Sequence, residues 1–312
     1  MSGQTGSANR RLILDLCHGA ADAATMRAAV EFAQLLGLGL HCLFIEDEAV
    51  LALAELPFAR EIRLPTHEWS PLTADTITRE LREAASQTRH LLDEILRGVG
   101  VASEFEVLRG DPAACIAAVC QTGDIVIVAE PGPPIARTAH GVTRLQAAAH
   151  ASAASVLLLP ARHKARRGHV VAILADTMDG SLAVACRIAT AANEGVTILL
   201  SEPVDEAAAE RVRERAQTLG LPRERVTLRP VRTSQADDVI RALAGLQERL
   251  IVMTRPASGA GDASGATRIA AARSVPVLLI EAEPRADQPA GNRRRNASTI
   301  ADKGSVTSST KS

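Results

Sequence analysis

Aromatic residues are nearly absent from this chain of 312 residues. They make up 2% of it, with no tyrosine, four phenylalanines and a single tryptophan, Trp69. Proteins that bind single-stranded nucleic acid stack the bases on aromatic side chains. A formal net charge of −1 adds no general attraction for a polyanion. The composition argues against nucleic-acid binding and predicts a core built from Ala, Val, Leu and Ile.

Long apolar segments are also missing. No run is long enough to cross a bilayer, and the opening residues MSGQTGSANRR lack the apolar stretch of a signal peptide. We therefore expect a cytoplasmic protein with no membrane segment. The five cysteines are irregularly spaced and include no Cys-x-x-Cys pair. We expect them to serve as small core hydrophobes in a reducing compartment.

Motifs for catalysis and cofactors are absent as well. The sequence contains no Gly-x-x-x-x-Gly-Lys-Ser/Thr loop, no Gly-x-Ser-x-Gly elbow and no His-Glu-x-x-His pair. The eight histidines are scattered, and no pair of carboxylates is placed for acid–base work. We expect neither an enzyme nor a metal site.

What the sequence does contain is an alternation of strands and helices that runs through the chain twice. Apolar runs predict strands at 11–17, 40–46, 103–109, 124–129 and 155–160, and again at 169–176, 196–202, 225–231, 249–254 and 275–281. Continuous apolar strands separated by helices indicate a parallel sheet covered on both faces. The right-handed crossover rule makes each copy doubly wound. The predicted fold class is α/β, with two tandem doubly wound five-stranded parallel-sheet domains.

The predicted boundaries follow from this repeat and from shifts in composition. The five segments are a disordered N-terminus at 1–10, domain 1 at 11–160, a basic linker at 161–168, domain 2 at 169–283 and a disordered polar tail at 284–312. The linker is either a solvated connection or a basic patch. The tail, with its Arg293–Arg295 run, either solubilises the chain or makes a weak contact with an acidic partner.

The order and spacing of these elements resemble those of tandem universal stress proteins, in which two such domains are fused. The stretches DIVIVAEPG at 124–132 and DGS at 179–181 add to the likeness, which covers residues 11–283. The resemblance implies Rossmann-like, adenine nucleotide alpha hydrolase-like domains. It also implies an intrachain pseudo-dimer in which the fifth strands of the two halves meet.

The ATP-binding branch of that family carries a glycine motif between strand four and its helix. Its pattern is Gly, two residues, Gly, nine residues, Gly, then Ser or Thr. In the first half of this chain only Gly132 and Thr143 match, because Ala129 and Val142 occupy the other positions. The three prolines of segment 131–134 remove amide donors from the loop. The resemblance therefore implies a degenerate nucleotide site here.

The second half has a shorter loop with more glycine and serine. Thr254 and Ala257 stand at its first two motif positions. The candidate phosphate-binding residues in and after this loop are Gly259, Gly261, Ser264, Gly265 and Thr267. They either bind an anion at a helix start or form a flexible turn.

The family also places an aspartate at the end of strand one, facing the adenosine part of the ligand. Asp176 stands at this position in the second half, whereas Cys17 stands there in the first, with Asp15 and His18 nearby. Asp176 either contacts such a ligand or caps the helix or turn that follows the strand, a capping role that Asp179 also suits.

Segment 47–73 has no counterpart in the second half and contains Leu53, Leu56, Phe58 and Trp69. It is either a lid or docking surface for a regulatory protein, or an extra helix packed on its own domain. The resemblance implies a stress-response regulator that acts through protein or small-ligand binding. The alternative hypothesis is a sensor that binds ATP or another adenine nucleotide at Asp176 and loop 258–267. A third hypothesis is a slow ATPase.

Overall fold

A computed structural model describes residues 10–16, 22–63, 68–130, 148–149, 151–152, 154–161, 163, 167–201, 205–255 and 263–281. The first half contains β1 (Arg11–Asp15), α1 (Ala23–Leu36), β2 (Gly39–Asp47), α2 (Glu48–Ala54), β3 (Arg60–Arg63), β4 (Glu68–Pro71), α3 (Ala74–Leu96), β5 (Ser103–Gly110), α4 (Pro112–Val119), β6 (Ile125–Ala129) and β7 (Ser155–Leu159). The second half contains β8 (His169–Leu174), α5 (Ser181–Ala192), β9 (Val196–Ser201), α6 (Glu206–Thr218), β10 (Val226–Val231), α7 (Ala236–Ala242), β11 (Glu248–Thr254), α8 (Ala263–Arg273) and β12 (Val277–Ile280). Each of the ten predicted strands is present.

Local signals set the ends of the helices. Asp22 accepts a hydrogen bond from the backbone nitrogen of Thr25 at 2.7 Å and so caps α1. Asp111 caps α4 in the same way, and Pro112 follows it. Helix α1 stops at Gly37, whose φ is 66°, because this left-handed conformation suits glycine best. These caps satisfy backbone groups that a helix end would leave without partners.

Ten of the strands form one sheet in the order β10-β9-β8-β11-β12-β7-β6-β1-β2-β5. Within each half the order is third, second, first, fourth and fifth strand, and all pairs are parallel. The fifth strands meet, as predicted, and their pairing is antiparallel, with Val277 opposite Leu158. The carboxyl ends of the two halves therefore point to opposite edges of the sheet.

Both faces of the sheet are buried, which explains why its strands read as continuous apolar runs. Leu12 and Leu14 pack on the face that α1, α3, α5 and α6 cover. Ile13, whose side chain points the other way, packs on the face covered by α4, α7 and α8. All three side chains are fully buried. The sheet is thus the middle layer of a three-layer sandwich.

Polar contacts also join the two halves. Arg249 on β11 forms hydrogen bonds with both carboxylate oxygens of Glu194, at 2.8 and 2.9 Å, and a further ion pair with Glu31 on α1. Arg255, which follows β11, donates to the carbonyl oxygen of Ser152 at 3.0 Å and to that of Ala154. Burial lowers the pKa of Arg255. These side chains connect elements that lie in different halves of the sequence.

In the described parts of the chain, none of the helices combines the length and the apolarity that crossing a membrane requires. The predicted domain boundaries stay a prediction. The N-terminal residues 1–9, linker residues 162 and 164–166, and the tail from 282 onward lie outside the described residues.

Candidate functional site

The sheet has two places where a ligand site is expected. Open α/β sheets bind ligands beyond the carboxyl ends of the strands, where the strand order reverses. That reversal lies between β1 and β6 in the first half and between β8 and β11 in the second. The two places are at opposite edges of the sheet, because the halves are antiparallel to each other.

In the first half, the loops that follow β1 and β6 lie outside the described residues. Gly132, Thr143, Cys17 and His18 are among them, so these predictions stay predictions. The neighbouring described residues enclose a cavity of about 40 Å³ between the first turn of α1 and the ends of β6 and β7, lined by Thr25, Ala129, Glu130 and Leu159. Pockets for drug-sized ligands have volumes of about 300–1,000 Å³. This cavity by itself is smaller than such pockets, and the loops that complete the first site lie outside the described residues.

In the second half, Asp176 lies in the turn after β8 and is exposed. Its Oδ1 accepts a hydrogen bond from the backbone nitrogen of Met178 at 2.8 Å. This contact closes a short turn of the kind that aspartate favours, in agreement with the second of the two interpretations of this residue. A role toward an adenine ligand stays a prediction.

Asp179 lies at the reversal point of the second half, where β8 and β11 end. Its side chain is buried, and its Oδ1 accepts hydrogen bonds from the backbone nitrogen of Ser181 at 2.9 Å and from the Ser181 hydroxyl at 2.7 Å. The hydroxyl of Thr254, at the end of β11, donates to the same oxygen. Oδ2 accepts from the backbone nitrogen of Ala175 at 2.9 Å. One carboxylate thus joins the ends of β8 and β11 to the start of α5.

A second group holds the same turn from the side of α6. Arg215 donates hydrogen bonds to the carbonyl oxygens of Thr177 at 2.8 Å and Asp179 at 3.1 Å. Sequence reasoning did not identify Arg215 and treated Asp179 only as a cap. The Asp-Gly-Ser spacing is the sequence signal for the Asp179–Ser181 contacts, but nothing local indicates Thr254 or Arg215.

The predicted phosphate cradle is described in part. Gly259 and Gly261 lie outside the described residues. Ser264 and Thr267 are exposed in the first turns of α8, and Gly265 between them is half-buried. Since α8 follows β11 and Asp176 follows the neighbouring strand β8, these residues share one edge of the sheet. Their binding of a phosphate stays a prediction.

Segment 47–73 forms a short helix, α2, followed by the antiparallel hairpin β3–β4. Only Ala54 of α2 is buried. Phe58 is 76% exposed and Trp69 is 63% exposed, so the two aromatic side chains of the segment lie mostly outside the packed core. We call the exposed set the hairpin surface, and it consists of Val50, Leu53, Leu56, Phe58, Ile62 and Trp69.

The cysteines that the structure describes are free thiols, and two of them, Cys42 and Cys186, are buried. Burial raises the pKa of Cys42 to about 12 and that of Cys186 to about 11. Burial likewise raises the pKa of Cys120 to about 11. Thiols in this state are poor nucleophiles, which agrees with the prediction that cysteine has a packing role here.

Comparison with solved structures finds the same fold elsewhere. A universal stress protein from Archaeoglobus fulgidus DSM 4304 matches with a TM-score of 0.60 and 16% identity, over 88% of this chain and 97% of its own. A functionally unknown protein from Pseudomonas aeruginosa PAO1 matches with a TM-score of 0.51 and 18% identity, over 88% and 93%. The cytoplasmic domain of a prokaryotic cation chloride cotransporter gives a TM-score of 0.50 at 11% identity, over 88% and 95%.

No protein-family model matches the sequence, and no curated protein matches it. The likeness to solved structures at these identities concerns the fold. The chain therefore has the universal stress protein fold, and the predicted fold class is confirmed.

Proposed function

We propose that this protein, which has the fold of universal stress proteins, is a cytoplasmic stress-response regulator. It works through contacts with proteins and turns over no nucleotide. The hairpin surface is the single observation that carries the proposal, because it exposes six large apolar side chains on an insertion that the second half lacks. The free thiols fit a reducing compartment.

The exposure of this surface is costly unless something covers it. Large exposed apolar patches mark interaction sites, and the six exposed side chains all belong to one segment, 50–69. Trp and Phe are also the side chains that interfaces prefer. In the second half, by contrast, β9 ends at Ser201 and α6 begins at Glu206, so no comparable insertion separates them.

The contact between Thr254 and Asp179 at the reversal point of the second half supports the same proposal. Thr254 stands where the ATP-binding branch has its first glycine, and its hydroxyl bonds the buried Asp179 carboxylate. A glycine there would let a ligand approach the backbone closely, whereas this chain has a threonine whose hydroxyl is bonded to Asp179.

Isothermal titration calorimetry of the full chain tests the proposal directly. We expect no heat of binding with ATP, AMP or cyclic nucleotides at about millimolar concentration. A dissociation constant of about 1 mM corresponds to a binding free energy of about −4 kcal/mol. Native mass spectrometry of the purified protein should show the mass of the bare chain. A nucleotide that stays bound through purification contradicts the proposal.

An adenine-nucleotide sensor is the second candidate. Asp176 and the first turns of α8 lie at one edge of the sheet, and helix starts attract anions. In this candidate Asp176 contacts the adenosine part, while Ser264, Gly265 and Thr267, together with Gly259 and Gly261, bind the phosphates. Asp176→Ala then abolishes the binding of ATP, and Asp205→Ala, which removes an aspartate that caps α6, leaves it unchanged.

A slow ATPase at the same site is the third candidate. In this candidate, the purified chain releases phosphate from ATP, and the rate of release is lower in the Asp176→Ala variant than in the original chain. A rate that this substitution leaves unchanged would contradict an enzyme that depends on Asp176.

A further inference from the structure

We propose that His41 makes the first half of the fold sensitive to acid, because protonation of its ring disconnects it from Arg11. The inference goes beyond the proposed function, since it names a signal to which the chain itself responds. It is carried by a row of hydrogen bonds at the amino ends of four neighbouring strands.

Four side chains from neighbouring strands form this row. In the strand order β6-β1-β2-β5, Asp124 directly precedes β6, Arg11 begins β1, His41 lies on β2 and Glu106 lies on β5. The Arg11 guanidinium donates to the Asp124 carboxylate at 3.0 Å and contacts Nδ1 of His41 at 3.0 Å. Nε2 of His41 contacts a carboxylate oxygen of Glu106, also at 3.0 Å. The row therefore runs unbroken from a carboxylate through a guanidinium and an imidazole to a second carboxylate.

The partners of His41 fix which of its ring nitrogens carries the proton. A guanidinium has N–H donors and no acceptor, so Nδ1 of His41 accepts the hydrogen bond from Arg11. An ionised carboxylate only accepts, so Nε2 carries the hydrogen and donates it to Glu106. His41 is thus neutral, with its proton on Nε2, when both bonds are present.

A second proton on this ring has only Nδ1 to bind. It converts the acceptor of Arg11 into a donor and sets two positive groups against each other. Arg11 does not release a proton of its own in exchange, because a guanidinium stays charged in proteins. The ring of His41 is buried, so little water separates the two charges. The hydrogen bond between Arg11 and His41 therefore breaks.

The other charged groups around His41 determine which of its bonds remains. From β5, the carboxylates of Glu106 at 3.0 Å and Glu104 at 4.0 Å both face Nε2. Helix α4 packs on the same face of the sheet and has no charged residue. Cys120, which follows α4, stays a neutral thiol because burial raises its pKa to about 11. Acid therefore keeps the contact with Glu106 and removes the one with Arg11, so the row opens between β1 and β2.

Arg11 is the residue through which this change reaches neighbouring elements. Its guanidinium also donates to the carbonyl oxygen of Val119, the last residue of α4, at 3.2 Å. Its partner Asp124 in turn accepts from the backbone nitrogen of Gln121 at 3.1 Å. A displaced Arg11 side chain therefore loosens the turn between α4 and β6.

The second half supplies a matched control. Nδ1 of His169, on β8, contacts the hydroxyl of Thr197 at 2.9 Å. A hydroxyl both donates and accepts, so this bond survives a second proton on the ring by reversing its direction. His169 is therefore a histidine at the start of a sheet strand whose protonation breaks no such contact.

Nuclear magnetic resonance of the isotope-labelled full chain tests both steps. At about pH 8, correlations within the imidazole should show the proton of His41 on Nε2. As the pH falls to about 5, the side-chain Nε signal of Arg11 should shift with the same midpoint as the His41 ring. A His41 proton on Nδ1 at about pH 8, or an Arg11 signal that does not follow the ring, overturns the proposal. Both results come from the original chain and do not depend on how any variant folds.

Substitution separates His41 from other groups that titrate. In His41→Asn, the amide oxygen replaces Nδ1 as the acceptor for Arg11 and takes up no proton, so the Arg11 signal should stay constant between about pH 8 and pH 5. His169→Asn should leave the response of Arg11 as it is in the original chain. A response of Arg11 that His169→Asn abolishes and His41→Asn preserves overturns the proposal.

Hydrogen exchange measures the loosening of the turn. At about pH 5, the backbone amide of Gln121 should exchange at least about tenfold faster in the original chain than in His41→Asn, because a bond to a charged group is lost. At about pH 8 the two chains should exchange at equal rates, and equal rates at about pH 5 overturn the proposal. These measurements involve neither a nucleotide nor a partner protein, so a failure of this inference is distinguishable from a failure of the proposed function.

Discussion

Thr254 at the end of β11 donates its hydroxyl hydrogen bond to the buried carboxylate of Asp179, which lies 75 positions earlier in the chain. This bond joins the strand ends at the reversal point of the second half. The same carboxylate accepts three further hydrogen bonds, from the backbone of Ala175 and from the backbone and hydroxyl of Ser181. The arrangement ties down the region where a sheet of this kind otherwise receives its ligand.

Replacing Thr254 with valine tests the strength of this contact. The change keeps the shape of the side chain and removes the donor, so the buried carboxylate loses one of its partners. We expect the free energy of unfolding to fall by about 1–3 kcal/mol, measured by urea denaturation. Thr233→Val is the control, because Thr233 bonds Asp238 at an exposed site; a loss as large as that for Thr254 would contradict the interpretation.

Replacing Arg249 with methionine tests an ion-pair network that combines Glu194 of the second half with Glu31 of the first. Arg249 is 13% exposed in its side chain, and hydrogen bonding to Glu194 raises its pKa. Its removal leaves Glu194 and Glu31 without their counter-ion in a partly buried place. We expect a loss of about 3 kcal/mol in the free energy of unfolding.

The matched control for Arg249 is Arg241→Met. Arg241 pairs with Asp238 at the surface, where its side chain is 67% exposed. Exposed pairs contribute up to about 1 kcal/mol. Equal losses in the two variants would show that the Arg249 network adds nothing beyond a surface pair.

The pH dependence of stability should carry the signature of Cys42. Burial raises the pKa of its thiol from 9.0 to about 12. The folded chain therefore keeps this proton at a pH where the unfolded chain has lost it, so stability falls as the pH rises from 9.0 toward 12. Urea denaturation at intervals across this range should show the decline.

Cys42→Ala isolates this effect, because it removes the titrating thiol. The variant should lose stability less steeply over the same pH range. The absence of tyrosine simplifies the measurement, since no phenol titrates there. An unchanged slope would show that the thiol is not the source.

The ends of α1 and α5 allow a comparison between the two halves. Gly37 ends α1 with φ 66°, and Asn193 ends α5 with φ 55°. In both cases the backbone nitrogen of the cap bonds carbonyl oxygens three and four positions earlier. Gly37→Ala should cost about 1 kcal/mol in free energy of unfolding, because alanine is strained in the left-handed region.

Gly37→Asn should cost less than Gly37→Ala, because asparagine tolerates this conformation and performs the same role at position 193. Thermal unfolding of both variants measures the difference. Equal losses would mean that the two caps are not equivalent.

The sequence predicted the strands of the large sheet and their alternation with helices, because these signals are local. DIVIVA and SVLLLP are continuous apolar runs, and both strands lie buried where they were expected. The signals that begin α4 at Asp111 and end α1 at Gly37 are equally local. The meeting of the fifth strands came from the family resemblance, and the structure adds that they pair antiparallel.

The hairpin β3–β4 could not be predicted from its residues. Its strands, REIR and EWSP, are short and largely polar. Neither contains a continuous apolar run, and a single Ile or Trp in each is too little to show the alternation of apolar and polar residues that marks a strand. Sequence reasoning left a docking surface and a packed helix open for this segment. The structure shows the helix, and it shows that the apolar side chains around it are exposed.

The amino-acid sequence by itself determined the alternation of strands and helices, its repetition and the covering of both faces of the sheet, since each depends on hydrophobic period and capping within a few residues. Only the tertiary structure decided that Thr254 meets Asp179, and that Arg249 meets Glu31 across 218 positions. Such contacts depend on the order of strands in the sheet and on the pairing of its two halves. No local pattern encodes which distant side chains the completed sheet brings together.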